Sequence, residues 1–348
     1  MPRSVPHVFD LFAGSNRIIQ APMAGVSTPA LAVEVSEAGQ LGSIAVGAQT
    51  PDAAAATIAD LAAHSSHAVN VNVFCHAPPR RDPRLEARWL QRLAPSFETL
   101  GARVPAELET PYASFLDDDR MLDVLLDRAV QVVSFHFGMP HARQVRALHA
   151  QGILLMGTAT SVREARQLEA LGIDVIIAQG IEAGGHRGAF DPDADEGLGT
   201  EALVRALVGR VARPVFAAGG LMTGADIARA LAWGAAGVQM GTAFIPCPES
   251  AASVSHRVAL RYGGRTSMTR VISGRPARGF VAAWEDALGA AVDVPDYPVA
   301  YAAGRALSRA SKGRFEVLWA GTGAAVARSM PAAKLVDRLV EEITAARA

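Results

Sequence analysis

Short runs of apolar, often β-branched residues alternate along the chain with longer stretches rich in alanine and leucine. Continuous apolar runs are typical of parallel strands buried on both faces, and the longer stretches are typical of helices. The alternation therefore predicts βα units around a parallel sheet. Eight strands are predicted, at residues 18–23, 41–46, 68–74, 132–135, 153–156, 175–178, 215–218 and 237–240.

Helical stretches separate most of these strands, and the pattern predicts helices at residues 29–38, from 51 onward, 142–150, 161–171 and 225–233. Near the end of the chain, residues 332–347 carry apolar side chains at a helical period: Leu335, Val336, Leu339, Val340 and Ile343. This spacing predicts a last helix that docks back on the body of the protein.

Two regions break the alternation. Residues 75–119 are rich in proline and arginine, and residues 250–310 are polar and interrupted by glycine and proline. We interpret the first region as an insertion after the third strand and the second as an inserted lid. The predicted domains are a barrel at 1–249 with its insertion near 75–119, a lid or substrate subdomain at 250–310, and a C-terminal segment at 311–348 that returns to the barrel.

Two architectures fit eight parallel strands, a closed (β/α)₈ TIM barrel and an open doubly wound sheet. An open sheet would carry a GxGxxG phosphate loop after its first strand, but AGVST follows here, at 24–28. The glycine-rich segments come late, after strands six, seven and eight. A barrel holds its phosphate site after strands seven and eight, so the sequence favours the (β/α)₈ barrel.

Composition narrows the function classes. A length of 348 residues suits one barrel with insertions, and half of the residues are apolar, which is enough for a large core. The net charge of −1 gives no basic surplus for nucleic acid or anionic lipid. The two cysteines have no metal-ligand spacing, so no metal is predicted. Without a signal-peptide core or a long apolar span, we expect a cytoplasmic protein with no membrane partner.

Two glycine loops are candidates for a phosphate cradle. Gly219 and Gly220 follow strand seven, and Gly241 and Thr242 follow strand eight. Glycine lets the backbone approach a phosphate, and N–H groups at the start of a following helix, here near Thr223, can hold it. A Cβ at Gly220 would then occupy space meant for the phosphate. The alternative is that these glycines only form tight turns.

Polar residues at strand ends supply further candidates. Asn70 and Asn72 lie two apart, on one face of the third strand, and a bound polar ring would satisfy them; alternatively they are core amides. Gln179 offers an amide donor and acceptor to a ligand; alternatively, its segment is only a mobile surface loop. His136 ends strand four, where barrel enzymes place catalytic groups, although an apolar setting also suits a core histidine.

These segments together resemble the nitronate monooxygenases, formerly 2-nitropropane dioxygenases, of the bacterial class I type. The matching segments are QAPMAGVSTP at 20–29, NVNVFCH at 70–76, SFHFG at 134–138, AQGIEAGGHRG at 178–188, AAGG at 217–220, QMGTAF at 239–244, SGR at 273–275, ARG at 277–279, PDYPVAY at 295–301 and WAG at 319–321. They run nearly end to end in the family's order. One departure is GTAT at 157–160, where some relatives carry a cysteine.

The resemblance implies a barrel with FMN at its mouth, a smaller, mainly helical subdomain over it, and oxidation of alkyl nitronates, typically propionate 3-nitronate, by O₂ to a carbonyl compound and nitrite or nitrate. It implies FMN contacts at Pro22, Met23, Ala24, Asn72, Gln179, Gly184, Gly220, Gln239, Met240, Gly241 and Thr242. It implies a substrate pocket lined by Tyr112, His186, Ser273, Tyr297 and Tyr301.

His136 takes the position of the family's active-site histidine, and it is the candidate base if a neutral nitroalkane is used. His186, beside Arg187, is better suited to binding an anion, and His76 is expected to be a loop histidine. Two other functions remain open at this point. One is an FMN-dependent NAD(P)H enoyl-thioester reductase, which shares the barrel, and the other is a non-catalytic flavin-binding protein. The oligomeric state is not predicted.

Overall fold

The eight predicted strands form the barrel. The computed structural model describes residues 5–128, 130–289 and 293–347. In chain order, its strands are β1 (Ile18–Gln20), β2 (Gly42–Ala45), β3 (Val69–Phe74), β4 (Val132–His136), β5 (Leu154–Ala159), β6 (Val175–Gln179), β7 (Gly185–His186), β8 (Val215–Ala218), β9 (Gly237–Met240), β10 (Ser267–Thr269) and β11 (Ala277–Gly279). Strands β7, β10 and β11 form a small antiparallel sheet that was not predicted.

The remaining eight strands pair in parallel in the order β1-β9-β8-β6-β5-β4-β3-β2. Hydrogen bonds from Gln20 N to Leu41 O (2.9 Å) and from Leu41 N to Ile18 O (3.1 Å) join the two ends. The sheet is therefore closed, and the (β/α)₈ barrel prediction is confirmed. Strand β1 ends three residues early because the chain turns at Met23, whose carbonyl accepts from Val26 and Ser27.

Helices surround the barrel. In chain order they are α1 (Pro29–Glu37), α2 (Pro51–His64), α3 (Pro83–Thr99), α4 (Asp119–Asp127), α5 (Ala142–Ala150), α6 (Val162–Leu171), α7 (Thr200–Leu207), α8 (Gly224–Ala232), α9 (Val254–Tyr262), α10 (Ala282–Leu288), α11 (Val299–Ala310) and α12 (Ala332–Arg347). Each of α1 and α2 begins with proline after a threonine whose side chain caps the first turn. No helix in the described ranges is long and apolar enough to cross a membrane.

The interior of the barrel is closed at one end by the start of the chain. Val8 and Phe12 pack into an apolar cluster with side chains from β1, β4, β5, β6 and β8, and the Phe12 ring stacks on Phe216 at 5.9 Å between centroids. A second cluster fills the space between the strands and the outer helices. With the amino-terminal end plugged, the open mouth lies at the carboxyl ends of the strands.

A third cluster lies outside the barrel and is shared by the two inserted regions. Trp89, Leu93 and Phe97 of α3 pack with apolar residues of the later region, Trp284 and Leu307 among them. Trp284 is fully buried and contacts Phe315 edge to face. We call these two regions together the cover. Residues 1–4, 129, 290–292 and 348 of the predicted domain ranges lie outside the described residues.

Helix α12 has the predicted bounds and packs against α8 and α1. Its Glu342 accepts a hydrogen bond from Gly224 N at 2.8 Å, at the first residue of α8, and pairs with Arg328. The close approach requires glycine, since a Cβ at 224 would lie 2.3 Å from the Glu342 Cβ. The Glu342 side chain of α12 thus caps the amino terminus of α8.

Candidate functional site

A cavity of about 620 Å³ lies between the barrel mouth and the cover. It is lined by the carboxyl ends of the barrel strands and by residues of α11 and the segment before α12. Eleven of the lining residues are those implied as FMN contacts: Pro22, Met23, Ala24, Asn72, Gln179, Gly184, Gly220, Gln239, Met240, Gly241 and Thr242. The structure therefore brings the whole predicted set to one place.

The glycine loops after β8 and β9 lie side by side at one end of the cavity. Gly219 and Gly220 have φ of +120° and +72°, a backbone conformation that favours glycine. Gly241 has φ of −106° and is followed by a short 3₁₀ helix that begins at Thr242. Their backbone can therefore approach a bound group closely, as a phosphate cradle requires.

The start of α8 differs from the expectation for this cradle. The start of α8 does not offer free N–H groups, because Asp226 accepts from the amides of Met222 and Thr223 (both 2.9 Å) and Glu342 accepts from the next one. A Cβ at Gly220 would meet the Glu182 Cβ at 3.0 Å, so a substitution there would strain the folded chain whether or not a phosphate is bound. The candidate donors are thus the amides of the glycine loops themselves.

Gln179 is held rigidly rather than lying on a mobile loop. Its Oε1 accepts from Gly188 N (2.7 Å) and its Nε2 donates to His186 O (3.1 Å). Its carbonyl accepts from Arg187, which is buried and makes a two-pronged ion pair with Asp195 at 2.7 and 2.9 Å. Only the second Nε2 hydrogen of Gln179 remains for a ligand.

The two asparagines of β3 have different environments. Asn72 lines the cavity and donates to Ser134 Oγ (2.9 Å). Asn70, two residues deeper in the barrel, is fully buried and donates to Ser43 Oγ (3.1 Å). Asn70 is thus a core amide, whereas Asn72 is available at the barrel mouth.

His136 ends β4 and lines the cavity beside Phe137. Its Nδ1 lies 3.1 Å from Thr158 Oγ1, and its Nε2 lies 3.4 Å from the His186 carbonyl. Burial lowers the pKa of His136 to about 3, and the positive charge of Arg275 adds to the shift. The imidazole is therefore neutral at physiological pH.

His186 lies opposite, on β7, with Trp319 and Tyr301 edge-on to its ring at 5.3 and 5.8 Å. Its Nε2 is 2.8 Å from Ser273 Oγ. Burial, followed by the charge of Arg275, lowers the pKa of His186 to about 3. Ser273 itself is fully buried behind the histidine, so this member of the predicted substrate set reaches the cavity only through His186.

Three tyrosines complete the wall. Tyr112 donates to the Tyr297 hydroxyl at 2.5 Å, and both residues line the cavity together with Tyr301. Burial raises the pKa of all three phenols, so their hydroxyls stay protonated and can donate hydrogen bonds.

Sequence reasoning missed several cavity neighbours. Trp319 and Arg305 line the cavity, and Arg275 lies just behind its wall. Trp319 and Arg275 lie in segments that carried the resemblance, but nothing in those segments gave them a role. His76 follows β3 in a loop as expected, but it is buried between the edges of Tyr112 and Tyr297. Burial lowers the pKa of His76 to about 4.

The chain is similar in sequence to known proteins over nearly its whole length. A family model described as nitronate monooxygenase matches residues 7–342. The chain is 51% identical over 336 residues to a nitronate monooxygenase of Paraburkholderia phytofirmans, covering 94% of this chain and 92% of that one. It is 49% identical to a nitronate monooxygenase of Pseudomonas aeruginosa, covering 94% and 95%.

The fold is also similar to a solved structure. A nitroalkane oxidase from Streptomyces ansochromogenes superimposes with a TM-score of 0.88 at 38% identity, and the match covers 98% of both chains. The similarity extends across the barrel and the cover together.

Proposed function

Because the chain belongs to the nitronate monooxygenase family, and is therefore a flavin-dependent oxidoreductase that oxidises nitronates, we propose that FMN occupies the cavity. The nitronate would bind between the flavin and the cover. The observation that carries this assignment is the convergence of the eleven implied FMN positions on one cavity at the barrel mouth. Family membership also favours nitronate oxidation over an enoyl-thioester reductase or a non-catalytic flavin-binding protein.

The shape of the glycine end supports FMN as the flavin. The glycine loops after β8 and β9 line the cavity at the place where barrels usually bind a phosphate. Gly241 and Thr242 would donate backbone hydrogen bonds, and Thr242 Oγ1 already accepts from Gly321 N (2.9 Å), which holds this loop against the segment before α12. When bound, the flavin accepts electrons from the nitronate, with O₂ as co-substrate.

The other end of the cavity suits an anion. A nitronate carries its negative charge on two oxygens, which need hydrogen-bond donors. The hydroxyl of Tyr301 and the imidazole of His186 face this part of the cavity, and burial keeps the phenol protonated. His186 would be oriented by Ser273, which anchors its Nε2.

His136 is better suited to orienting a nitronate than to deprotonating a nitroalkane. A general base works best when its pKa lies near the working pH, and the pKa of His136 is only about 3. A nitronate arrives already deprotonated and needs no base. We therefore propose a preference for nitronates over neutral nitroalkanes, with His136 as a substrate-orienting residue. Nitroalkane oxidation is the second candidate, favoured by the solved structure described above.

Arg305 supports a substrate with a second negative charge. It lies on α11 one turn after Tyr301, is exposed, and lines the cavity. Its guanidinium is placed to bind a carboxylate that projects from the far end of a nitronate. This favours propionate 3-nitronate, with a carbonyl compound and nitrite or nitrate as products.

The test begins with the cofactor released by heat from purified protein and identified by chromatography. FMN is expected, and FAD or no flavin would contradict the proposal. Oxygen uptake is then measured with propionate 3-nitronate and with propyl 1-nitronate, which lacks the carboxylate. Arg305→Gln is expected to raise KM for the first substrate about tenfold and to leave the second unchanged. Glu316→Gln, at another lining position, is the control and should not raise KM.

A further inference from the structure

Arg275 is a buried positive charge that the proposed chemistry has not used. It follows Ser273 in the connection between β10 and β11 and is only 4% exposed. Its Nε donates to Arg187 O (3.3 Å), and its Nη2 donates to the carbonyls of Ala189 and Phe190. The guanidinium is thus fixed by neutral backbone acceptors.

No carboxylate within the described residues lies within 4.0 Å of this guanidinium. Burying a charge without an ion-pair partner is costly, and burial lowers the pKa of Arg275 to about 10. Arg187 is equally buried, but its charge is neutralised by Asp195 at 2.7 Å. Arg275 has no such partner among residues 5–128, 130–289 and 293–347.

The unpaired charge lies directly behind the cavity wall. Its central carbon is 4.6 Å from the centroid of the Phe137 ring and 6.0 Å from that of Tyr297. Phe137 and Tyr297 also line the cavity. Phe137 also has φ of +73°, an uncommon conformation for an aromatic residue, and its ring contacts both His136 and the guanidinium.

We propose that Arg275 is a positioning residue whose charge, acting through the Phe137 and Tyr297 rings, makes the cavity selective for an anionic substrate over its neutral conjugate acid. The inference rests on the proposed binding of a nitronate at this end of the cavity. The missing counter-ion of Arg275 is then the substrate itself. Because the guanidinium is buried and lies against the Phe137 ring, the attraction is screened less than at an exposed site.

The experiment compares ligands of one shape and different charge. Binding of butanoate and of neutral butanamide to the holoenzyme is followed by the change in flavin absorbance, and KM and kcat are measured with ethyl nitronate. In Arg275→Gln, Kd for butanoate and KM for the nitronate should each rise about tenfold, while Kd for butanamide stays within about twofold. Arg275→Lys keeps the charge and should remain within about threefold of the wild type.

Arg270→Gln is the matched control. Arg270 is five residues away from Arg275 along the chain and has the same charge, but it is partly exposed and paired with Asp193 at 2.6 Å. Its loss should leave both ligands unchanged. Equal weakening of butanoate and butanamide in Arg275→Gln, an Arg275→Lys variant as impaired as Arg275→Gln, or no change in either would overturn the inference.

The outcome stays decisive if Arg275→Gln fails to fold or to retain flavin. Arg275→Lys alone then decides, because it keeps the charge and loses the fixed guanidinium contacts. A preserved ratio of butanamide to butanoate Kd supports the inference, and a ratio that falls towards one contradicts it. Failure of the proposed function is recognised separately, as absence of nitronate turnover by the wild type, since the ligand-binding ratio requires no turnover.

Discussion

Gly241→Ala separates the phosphate cradle from the folding role of its glycines. At φ of −106° an alanine is unstrained, and its Cβ would lie 3.4 Å from the Ala21 Cβ and 3.5 Å from the Met23 Sδ, ordinary contact distances. The folded protein therefore tolerates the change. The added methyl borders the cavity beside the amides of Gly241 and Thr242, so it should hinder a phosphate there.

The expected magnitude follows from the loss of one hydrogen bond to a charged group, worth about 1.5–3 kcal/mol. This corresponds to a rise of about 10- to 150-fold in the Kd for FMN. Gly220→Ala is the contrasting variant, because its φ of +72° and its approach of 3.0 Å to Glu182 would strain the folded chain itself. That strain costs about 1–2 kcal/mol of stability whether or not flavin is present.

The assay titrates apoprotein with FMN by fluorescence quenching and measures thermal unfolding of the same apoprotein. Gly241→Ala should weaken FMN binding with an unchanged melting temperature, whereas Gly220→Ala should lower the melting temperature. An FMN affinity within about twofold of the wild type in Gly241→Ala would refute the cradle at this loop.

Four further predictions concern buried polar groups in and behind the site. Above pH 5, kcat/KM for a nitronate should show no inflection from the histidine pair His136 and His186, whose pKa values are lowered to about 3; an inflection near 6.5 would contradict this. Because both pKa values fall on folding, apoprotein stability should be full above pH 6.5 and decline as the pH drops towards 3, measured by denaturant titration. Thr158→Val should raise KM for a nitronate about threefold and change kcat less, since the Thr158 hydroxyl holds the His136 imidazole that would orient the substrate; an unchanged KM in steady-state assays would count against that role. Asp195→Asn should lower the free energy of unfolding by about 3 kcal/mol because it leaves a buried guanidinium unpaired; the exposed-pair control Asp193→Asn should cost less than about 1 kcal/mol, and equal costs would contradict the burial argument.

The sequence allowed the barrel to be predicted because parallel buried strands leave a local signal, a short apolar run such as 175–178. The small antiparallel sheet left no such signal. Its strand Gly185–His186 has two residues, and it forms only because Ala277 and Arg278 arrive from a distant segment. Such pairings depend on tertiary contacts that no local pattern contains.

The same distinction holds within the site. Strand-end residues such as Asn72 and His136 could be placed at the barrel mouth from the sequence, since the fold fixes where strand ends meet. That Ser273 lies behind His186 could not be predicted, because the two are separated by 87 residues and meet through the cover. The unpaired state of Arg275 is likewise a property of the packed interior.

The shared core of the cover has a consequence for how this family can be recombined. Its two segments are far apart in the chain, with Trp89 in one and Trp284 in the other, yet both belong to a single apolar cluster. If only one segment were transplanted into a relative, its apolar side chains would pack against a segment of different sequence. Large side chains would then lack matching partners. A functional chimaera therefore has to exchange both segments together. A substrate preference that depends on the cover would then be transferred as a unit, although two separate stretches of sequence encode it.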